Sequence, residues 1–135
     1  EIKVGTGRKL RDGSDVAVLS IGPIGNNVTR AIEQIEQAGD SISVAHYDMR
    51  FLKPIDEDIL EEVGKKFKRI ITIENGAKKG GLGSAVLEWM NDHDYQPKVI
   101  RMGLPDNFVE HGTVAELQRI TGLSEEDIVN TIKEQ

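Results

Sequence analysis

The chain has 135 residues, of which 38% are hydrophobic, so it can bury one core without disulfide or metal staples. The net charge of −6 and the lack of a basic, aromatic-interleaved stripe disfavour a nucleic-acid partner. The absence of cysteine excludes disulfides, thiolate metal sites and cysteine nucleophiles. No apolar run approaches the roughly 18 residues of a membrane span, and the first eleven residues lack a signal-peptide core. We therefore expect a soluble cytoplasmic protein with no membrane partner, and the first residue, Glu1 rather than Met, fits a piece cut from a longer chain.

The first half of the chain alternates strand patterns with amphipathic helix patterns. Residues 1–14 are predicted to be an arriving linker that ends in an edge strand at residues 8–10. The near-continuous apolar run at residues 16–21 is typical of a strand covered on both faces. Helical spacing then predicts a helix over residues 27–37, with Asn26 or Asn27 as its N-cap. Next in order come a strand at residues 41–47 and a helix capped by Asp56, whose apolar face carries Ile59, Leu60, Val63 and Phe67.

The second half is organised around a strand, a glycine-rich corner and a helix. The β-branched run at residues 70–73 predicts a buried strand that ends at Glu74 and Asn75, and an amphipathic helix is predicted from Ser84 onwards. There follow a strand at residues 98–102, a helix over residues 113–121 capped by Thr113, and a last helix behind Ser124, whose S-x-x-D spacing is that of a capping box. This alternation predicts a three-layer α/β/α sandwich with a mostly parallel sheet, as a single domain over residues 15–135.

The glycine-rich corner is the first candidate site, because ligands and partners meet the carboxyl ends of parallel strands. Its glycines allow backbone N–H groups to approach an anion at a helix N-terminus, and two lysines add positive charge. The pattern lacks both a Walker motif and a full G-x-G-x-x-G, so the ordinary explanation is a tight corner with close helix–sheet packing. Contact with another domain or subunit is the second explanation, and an anion site is the third. The residues concerned are Lys78, Lys79, Gly80, Gly81, Gly83 and Ser84.

Other polar residues at strand ends are weaker candidates. Glu74 is a candidate general acid or base, although a local cap or salt bridge is the ordinary explanation. Asp48 and Arg50 follow the second long strand and are a candidate anion site, against an ordinary ion pair or loop hydrogen bond. His46 is expected to be packed within a strand and His93 to complement a helix dipole. His111 is the one histidine predicted in a loop, where a functional or interface role is a candidate.

No nucleophile, base and orienting group can be assembled from these residues, and the scattered histidines offer no metal-site spacing. Neither Ser20 nor Ser84 has the context of a nucleophile elbow. We therefore predict no catalytic, cofactor-binding or metal-binding residue in this chain. The domain does not look like a complete active site.

Several motifs, in order and spacing, resemble the C-terminal domain of the transketolase family, and the resemblance covers nearly the whole chain. They are DMRFLKPID at residues 48–56, ENG at 74–76, GGLGSAV at 80–86, GLPD at 103–106 and EHGT at 110–113. The resemblance implies a five-stranded mixed sheet whose first strand, residues 8–10, runs antiparallel to the other four. It also implies a larger enzyme that uses thiamine diphosphate and a divalent metal such as magnesium.

Within the family, the GLPD and HGT pair resembles one branch in particular. That branch decarboxylates pyruvate and joins the two-carbon unit to glyceraldehyde 3-phosphate, which feeds isoprenoid, thiamine and pyridoxal synthesis. The alternatives are transketolase itself and the β-subunit of a 2-oxo acid dehydrogenase. The family holds the diphosphate through a Gly-Asp-Gly motif with a downstream asparagine, and these 135 residues contain no Gly-Asp-Gly. The resemblance places the catalytic histidines and glutamate in the two preceding domains, so no catalytic residue is carried over.

The resemblance implies a homodimer in which this domain packs on neighbouring domains through residues 48–53 and 76–83. The fragment alone is predicted to be inactive, to bind no thiamine diphosphate and to self-associate weakly. A stand-alone module that binds an anionic effector through residues 80–84 is the alternative from another functional class.

Overall fold

The computed structural model describes residues 2–77, 81–104 and 123–134. Within these ranges the chain forms five strands and four helices. In chain order they are β1 (Arg8–Arg11), β2 (Val16–Ile21), α1 (Gly25–Gln37), β3 (Val44–Asp48), α2 (Glu57–Lys66), β4 (Arg69–Ala77), α3 (Leu82–Asp92), β5 (Lys98–Leu104) and α4 (Glu125–Lys133). The helix predicted over residues 113–121 lies outside the described residues.

The five strands form one mixed sheet in the order β1-β3-β2-β4-β5. β1 pairs antiparallel with β3, whereas the β2–β3, β2–β4 and β4–β5 pairs are parallel. The predicted fold class is therefore confirmed, including the antiparallel edge strand. The central strands β2 and β4 carry the most continuous apolar runs because helices cover both of their faces.

Alternate residues of the strands belong to two separate hydrophobic cores on opposite faces of the sheet, because successive side chains of a strand point to opposite faces. On one face Val16, Val18 and Ile71 pack against α1 and α4. On the other face Ala17, Leu19 and Ile70 pack against α2 and α3. These two helical layers on either side of the sheet make the α/β/α sandwich.

Several predicted boundaries were wrong by a few residues. Helix α1 begins at Gly25, and its N-cap position is Ile24, which makes no side-chain capping hydrogen bond, so the asparagine cap was wrong. Strand β3 begins at Val44 rather than at residue 41, and β4 continues to Ala77 rather than ending at Asn75. Helix α3 begins two residues earlier than expected. An apolar pattern shows which residues are buried. Buried residues can extend beyond the hydrogen bonds that define the ends of a helix or strand, so the pattern does not locate those ends to the residue.

Two predicted caps are confirmed by their hydrogen bonds. The Asp56 carboxylate accepts from the Ile59 N–H at 3.1 Å at the start of α2. At the start of α4, Ser124 Oγ accepts from the Asp127 N–H at 3.1 Å, and the Asp127 carboxylate accepts from the Ser124 N–H at 3.3 Å. This reciprocal pair is a capping box, in which both side chains satisfy N–H groups that the helix leaves unpaired.

Helix α4 is held at both ends by charged side chains from earlier elements. At its N-terminal end, Arg30 of α1 donates to Glu125 at 2.9 Å. At its C-terminal end, the Arg69 guanidinium donates to the backbone oxygen of Ile132 at 2.8 Å and also to that of Thr131. These carbonyls are among those a helix cannot pair internally, so Arg69 acts as a C-terminal cap supplied by the sheet.

Candidate functional site

The carboxyl ends of the parallel strands meet at one edge of the sheet, where both sequence-predicted corners lie. β2 and β4 are neighbours, but β2 connects onward to β3 and β4 connects onward to β5, so the sheet has its switch point between them. The register places Ser20 beside Asp48 and Ile21 beside Glu74. We name residues 48–53 the β3 corner and residues 76–83 the glycine corner. The glycine corner is described at residues 76, 77 and 81–83.

The β3 corner is shaped by backbone hydrogen bonds. Asp48 Oδ1 accepts from the Arg50 N–H at 3.1 Å, and Arg50 adopts a positive φ of 60°. The Met49 N–H donates to the Ser20 oxygen at 2.8 Å, which ties the corner to β2. Among the described residues no ion pair joins Asp48 and Arg50. Asp48 is therefore a loop hydrogen-bond acceptor, one of the two ordinary explanations for it.

Beside this corner lies an open depression of about 560 Å³. It is lined by Ile2, Arg8, Gly22, Asp48, Arg50 and Phe51. Ile2 is 56% exposed, so the depression combines apolar surface with two guanidinium groups and one carboxylate. Such a mixture is typical of a protein contact, in which Arg and aromatic residues are enriched.

The glycine corner is built on a buried carboxylate. The residue Glu74 is only 9% exposed, and its Oε2 accepts from the Gly83 N–H at 3.2 Å. That N–H belongs to the first turn of α3, where helical N–H groups have no internal partner and the helix dipole favours negative charge. The ordinary explanation of Glu74 as a local cap is therefore confirmed.

Gly81 and Gly83 are required by close packing. A Cβ on Gly81 would lie 2.4 Å from Glu74 Oε1, so any side chain there would displace the carboxylate. A Cβ on Gly83 would lie 2.6 Å from Arg101 Cγ and 2.8 Å from Thr72 Oγ1. Close helix–sheet packing, the ordinary explanation for these two glycines, is confirmed.

A buried hydroxyl lies under the same corner. The Thr72 side chain is 1% exposed, and its Oγ1 has no hydrogen-bond partner among the described residues. Thr72 and Glu74 are two residues apart on β4, so both point towards α3. One carboxylate and one hydroxyl therefore lie beneath the first turn of α3.

Ser20 and His46 form a buried pair that was not among the predicted sites. Ser20 Oγ lies 2.8 Å from His46 Nε2, and the two residues are 0% and 1% exposed. Burial lowers the pKa of His46 from 6.5 to about 4, although the negative charge of Asp48 opposes this. His46 is therefore neutral at pH 7. Adjacent parallel strands bring the pair together, a pairing that can be inferred only once the strand order is known.

This pair cannot serve as a nucleophile and base in the folded chain. Ser20 has no exposed surface, so a substrate cannot reach its hydroxyl. His46 also lines a small cavity of about 260 Å³ between β1 and α1. The expectation that His46 is packed within a strand is confirmed, and the pair serves to satisfy two buried polar groups.

The remaining candidates lie at the two ends of α3 or outside the described residues. His93 is the C-cap residue of α3, its Nδ1 lies 2.8 Å from the Trp89 backbone oxygen, and its ring stacks on Trp89 at 3.8 Å. Ser84 lies in the first turn of α3. Lys78, Lys79, Gly80 and His111 lie outside the described residues.

The described residues contain no group of three or more His, Cys, Asp or Glu side chains that could hold a metal ion. The sequence also contains no Gly-Asp-Gly, the motif through which the resemblance implies that a diphosphate is held. Over the same residues, no helix is long and apolar enough to cross a membrane.

The fold and this edge define the class: a three-layer domain with a mostly parallel sheet, whose strand-end loops are organised by packing and capping. The family model described as "Transketolase, C-terminal domain" matches residues 5–128. The chain belongs to the transketolase C-terminal domain family, and the resemblance noted from the motifs is confirmed.

The chain is similar along nearly its whole length to about a fifth of much longer proteins named 1-deoxy-D-xylulose-5-phosphate synthase. The relative from Bacteroides thetaiotaomicron is 56% identical over 135 residues, which are 100% of this chain and 21% of that protein. The relative from Parabacteroides distasonis is 54% identical over 99% of this chain and 21% of its own length. That from Geobacillus thermodenitrificans is 45% identical over 98% of this chain and 21% of its own. The chain thus spans about a fifth of these relatives.

A solved structure of a split gene transketolase, in an inactive beta4 tetramer, has the same fold. It superposes with a TM-score of 0.87 at 32% identity, and covers 98% of this chain and 42% of that chain. The sandwich described above is therefore shared by at least one other family member.

Proposed function

We propose that this chain is the C-terminal domain of a 1-deoxy-D-xylulose-5-phosphate synthase. The observation that carries the proposal is the identity of 56% to the Bacteroides thetaiotaomicron synthase over the whole chain. The parent would be a cytoplasmic, thiamine-diphosphate-dependent transferase that condenses pyruvate with glyceraldehyde 3-phosphate for isoprenoid precursors. The transketolase and 2-oxo acid dehydrogenase alternatives are less favoured, because the first relatives carry the synthase name.

We propose that the domain itself shapes and steadies the parent through its two corners. Residues 1–14 would arrive from the preceding domain, and residues 15–135 would form the packed unit. The depression beside the β3 corner supports this, because exposed Ile2 adjoins the guanidinium groups of Arg8 and Arg50. Neither guanidinium forms an ion pair within the described residues, so carboxylates of a neighbouring domain would complement them.

Thiamine diphosphate and magnesium would be held by the rest of the parent. The fragment alone would then be inactive and bind no coenzyme, and the parent would be a homodimer. The effector-module alternative is disfavoured by Glu74, whose carboxylate already takes the Gly83 N–H that an anion at the start of α3 would need.

A domain exchange tests the proposal. The matching segment of the Bacteroides thetaiotaomicron synthase would be replaced by this chain, and turnover of pyruvate and glyceraldehyde 3-phosphate would be measured. We expect the chimera to be active and a version lacking the segment to be inactive. The chain alone should neither turn over pyruvate nor bind thiamine diphosphate by calorimetry. An inactive but folded, dimeric chimera would refute the assignment to the synthase, and turnover by the chain alone would refute its role as a supporting domain.

A charge reversal at the β3 corner tests the contact. In the chimera, Arg50→Glu should weaken dimerisation or activity at least tenfold, whereas Lys98→Glu reverses the same charge at the start of β5, on the opposite edge of the sheet, and should not. Equal effects of the two substitutions would contradict the proposed contact surface.

A further inference from the structure

We propose that the Glu74 carboxylate is a built-in anion that fills the N-terminal anion position of α3 and thereby fixes the glycine corner. Its role in docking rests on the proposed function. The intramolecular part does not depend on that function.

Glu74 supplies the negative charge at the start of α3. Helix α3 has 11 residues and no acidic residue in its first turn, and its N-cap position Gly81 offers no side chain. The charge that favours a helix N-terminus therefore comes from the preceding strand, where Glu74 Oε2 accepts from the Gly83 N–H at 3.2 Å.

The backbone of Gly81 lies very close to the Glu74 carboxylate. A Cβ on Gly81 would lie 2.4 Å from one Glu74 oxygen, and 2.8 Å from the other. The chain thus approaches the carboxylate as backbone approaches a bound anion, with glycine at the point of contact.

The strand also supplies a hydroxyl at this turn. Thr72 Oγ1 is buried and unpartnered in the described residues, and it lies 2.8 Å from the Cβ position of Gly83. A buried hydroxyl aimed at the same turn gives the site a second polar group beside Glu74. An anion that replaced the carboxylate would therefore find the Gly83 N–H and a hydroxyl donor.

The two glycines and Glu74 therefore have separate roles, since Gly81 and Gly83 make room for the carboxylate and Glu74 supplies it. Gly81 and Gly83 are shaped for an anion, as the anion-site explanation assumed, but the anion belongs to the chain itself. Gly81 and Gly83 are therefore held beside β4 by a group of the chain itself, as a surface that contacts a neighbouring domain requires.

The test is chemical rescue in the 135-residue chain. Glu74→Ala removes the atoms of one acetate ion, so acetate is the matched probe. At pH 7.5 and constant ionic strength set with chloride, Glu74→Ala should melt about 5 °C or more below the unsubstituted chain. Sodium acetate should then raise its Tm saturably by several degrees. Inorganic phosphate, which is larger than the vacated space, should rescue less.

Two variants serve as controls. Glu74→Gln keeps the shape but not the charge, so it should lose stability and gain nothing from acetate. Glu88→Ala removes a charge from the exposed face of α3, and its Tm should respond to acetate as that of the unsubstituted chain does.

A Glu74→Ala Tm that acetate raises no more than it raises that of Glu88→Ala would overturn the proposal. If Glu74→Ala does not fold with or without acetate, Glu74→Gln decides, and a Tm equal to that of the unsubstituted chain would overturn it. None of these outcomes depends on the domain exchange, so a failed rescue with an active chimera refutes only the built-in anion.

Discussion

Because His46 is buried, the free energy of unfolding of this domain should depend on pH in a range in which most carboxylates stay ionised. The pKa of His46 in the folded chain is about 4, against 6.5 in the unfolded chain, because burial disfavours the charged ring. Between these two values the unfolded chain binds a proton that the folded chain does not. The stability is therefore complete above pH 6.5 and is lost as the pH falls towards 4.

The magnitude follows from the difference between the two pKa values. At 1.36 kcal/mol for each pKa unit, the whole effect is about 3 kcal/mol, of which about 2 kcal/mol falls between pH 7.5 and 5. This is a large part of the stability of a small domain, about 5–15 kcal/mol in total. The Ser20 hydrogen bond contributes to the same preference if its hydroxyl donates to the neutral ring.

The assay is urea unfolding of the chain at pH 7.5, 6.5, 5.8 and 5, compared with the His46→Gln variant. Glutamine is polar but does not titrate, so the difference between the two chains in free energy of unfolding should shrink or reverse by about 2 kcal/mol across this range. His93→Gln is the control, because His93 is exposed at the end of α3. Parallel pH profiles for the unsubstituted chain and His46→Gln would refute this reasoning.

Three further predictions concern packing and capping. Gly83→Ala should lower the free energy of unfolding in urea by about 1–3 kcal/mol because its Cβ would press on Thr72. Leu87→Ala on the exposed side of α3 should lower it much less, and similar losses in the two variants would contradict the close packing at Gly83. Ser124→Ala should cost about 1 kcal/mol through loss of the capping box, while Ser14→Ala at an exposed position should be near neutral in the same assay. Ile132→Ala should cost about 2–5 kcal/mol because Ile132 is fully buried, and a value below that of half-buried Val129→Ala would argue against the packing of α4 on α1.

Sequence patterns could predict the architecture because each strand carries its own signal. The apolar runs at Val16–Ile21 and within Arg69–Ala77 are continuous, as strands buried on both faces require, and helical spacing marks the segments between them. The edge strand at residues 8–10 was predicted from the residues, but its antiparallel direction came from the family resemblance, since three charged residues and one leucine at Arg8–Arg11 say little about direction. The cap of α1 could not be predicted, because the helix begins on Ile24 and Gly25, two residues with no capping side chain.

The candidate site was only partly accessible from the sequence. The glycines and Glu74 could be singled out because they stand at a strand end, and a local cap was already the ordinary explanation. The Glu74 carboxylate accepts from the Gly83 N–H because α3 lies close to the sheet. That distance is set by side-chain packing, which a sequence pattern does not give. The contact of Ser20 with His46 joins residues 26 positions apart on neighbouring strands, so it required the strand order.

The hydrogen bonds from Arg69 to the carbonyls of Thr131 and Ile132 have a practical consequence for choosing the boundaries of this domain in longer proteins. The family match stops at residue 128, which is inside the helix that runs from Glu125 to Lys133. An expression boundary drawn there would delete Ile132 from the core and leave a half-buried guanidinium facing no acceptor. Fragments intended for crystallisation or for grafting into a relative should therefore extend to at least Lys133.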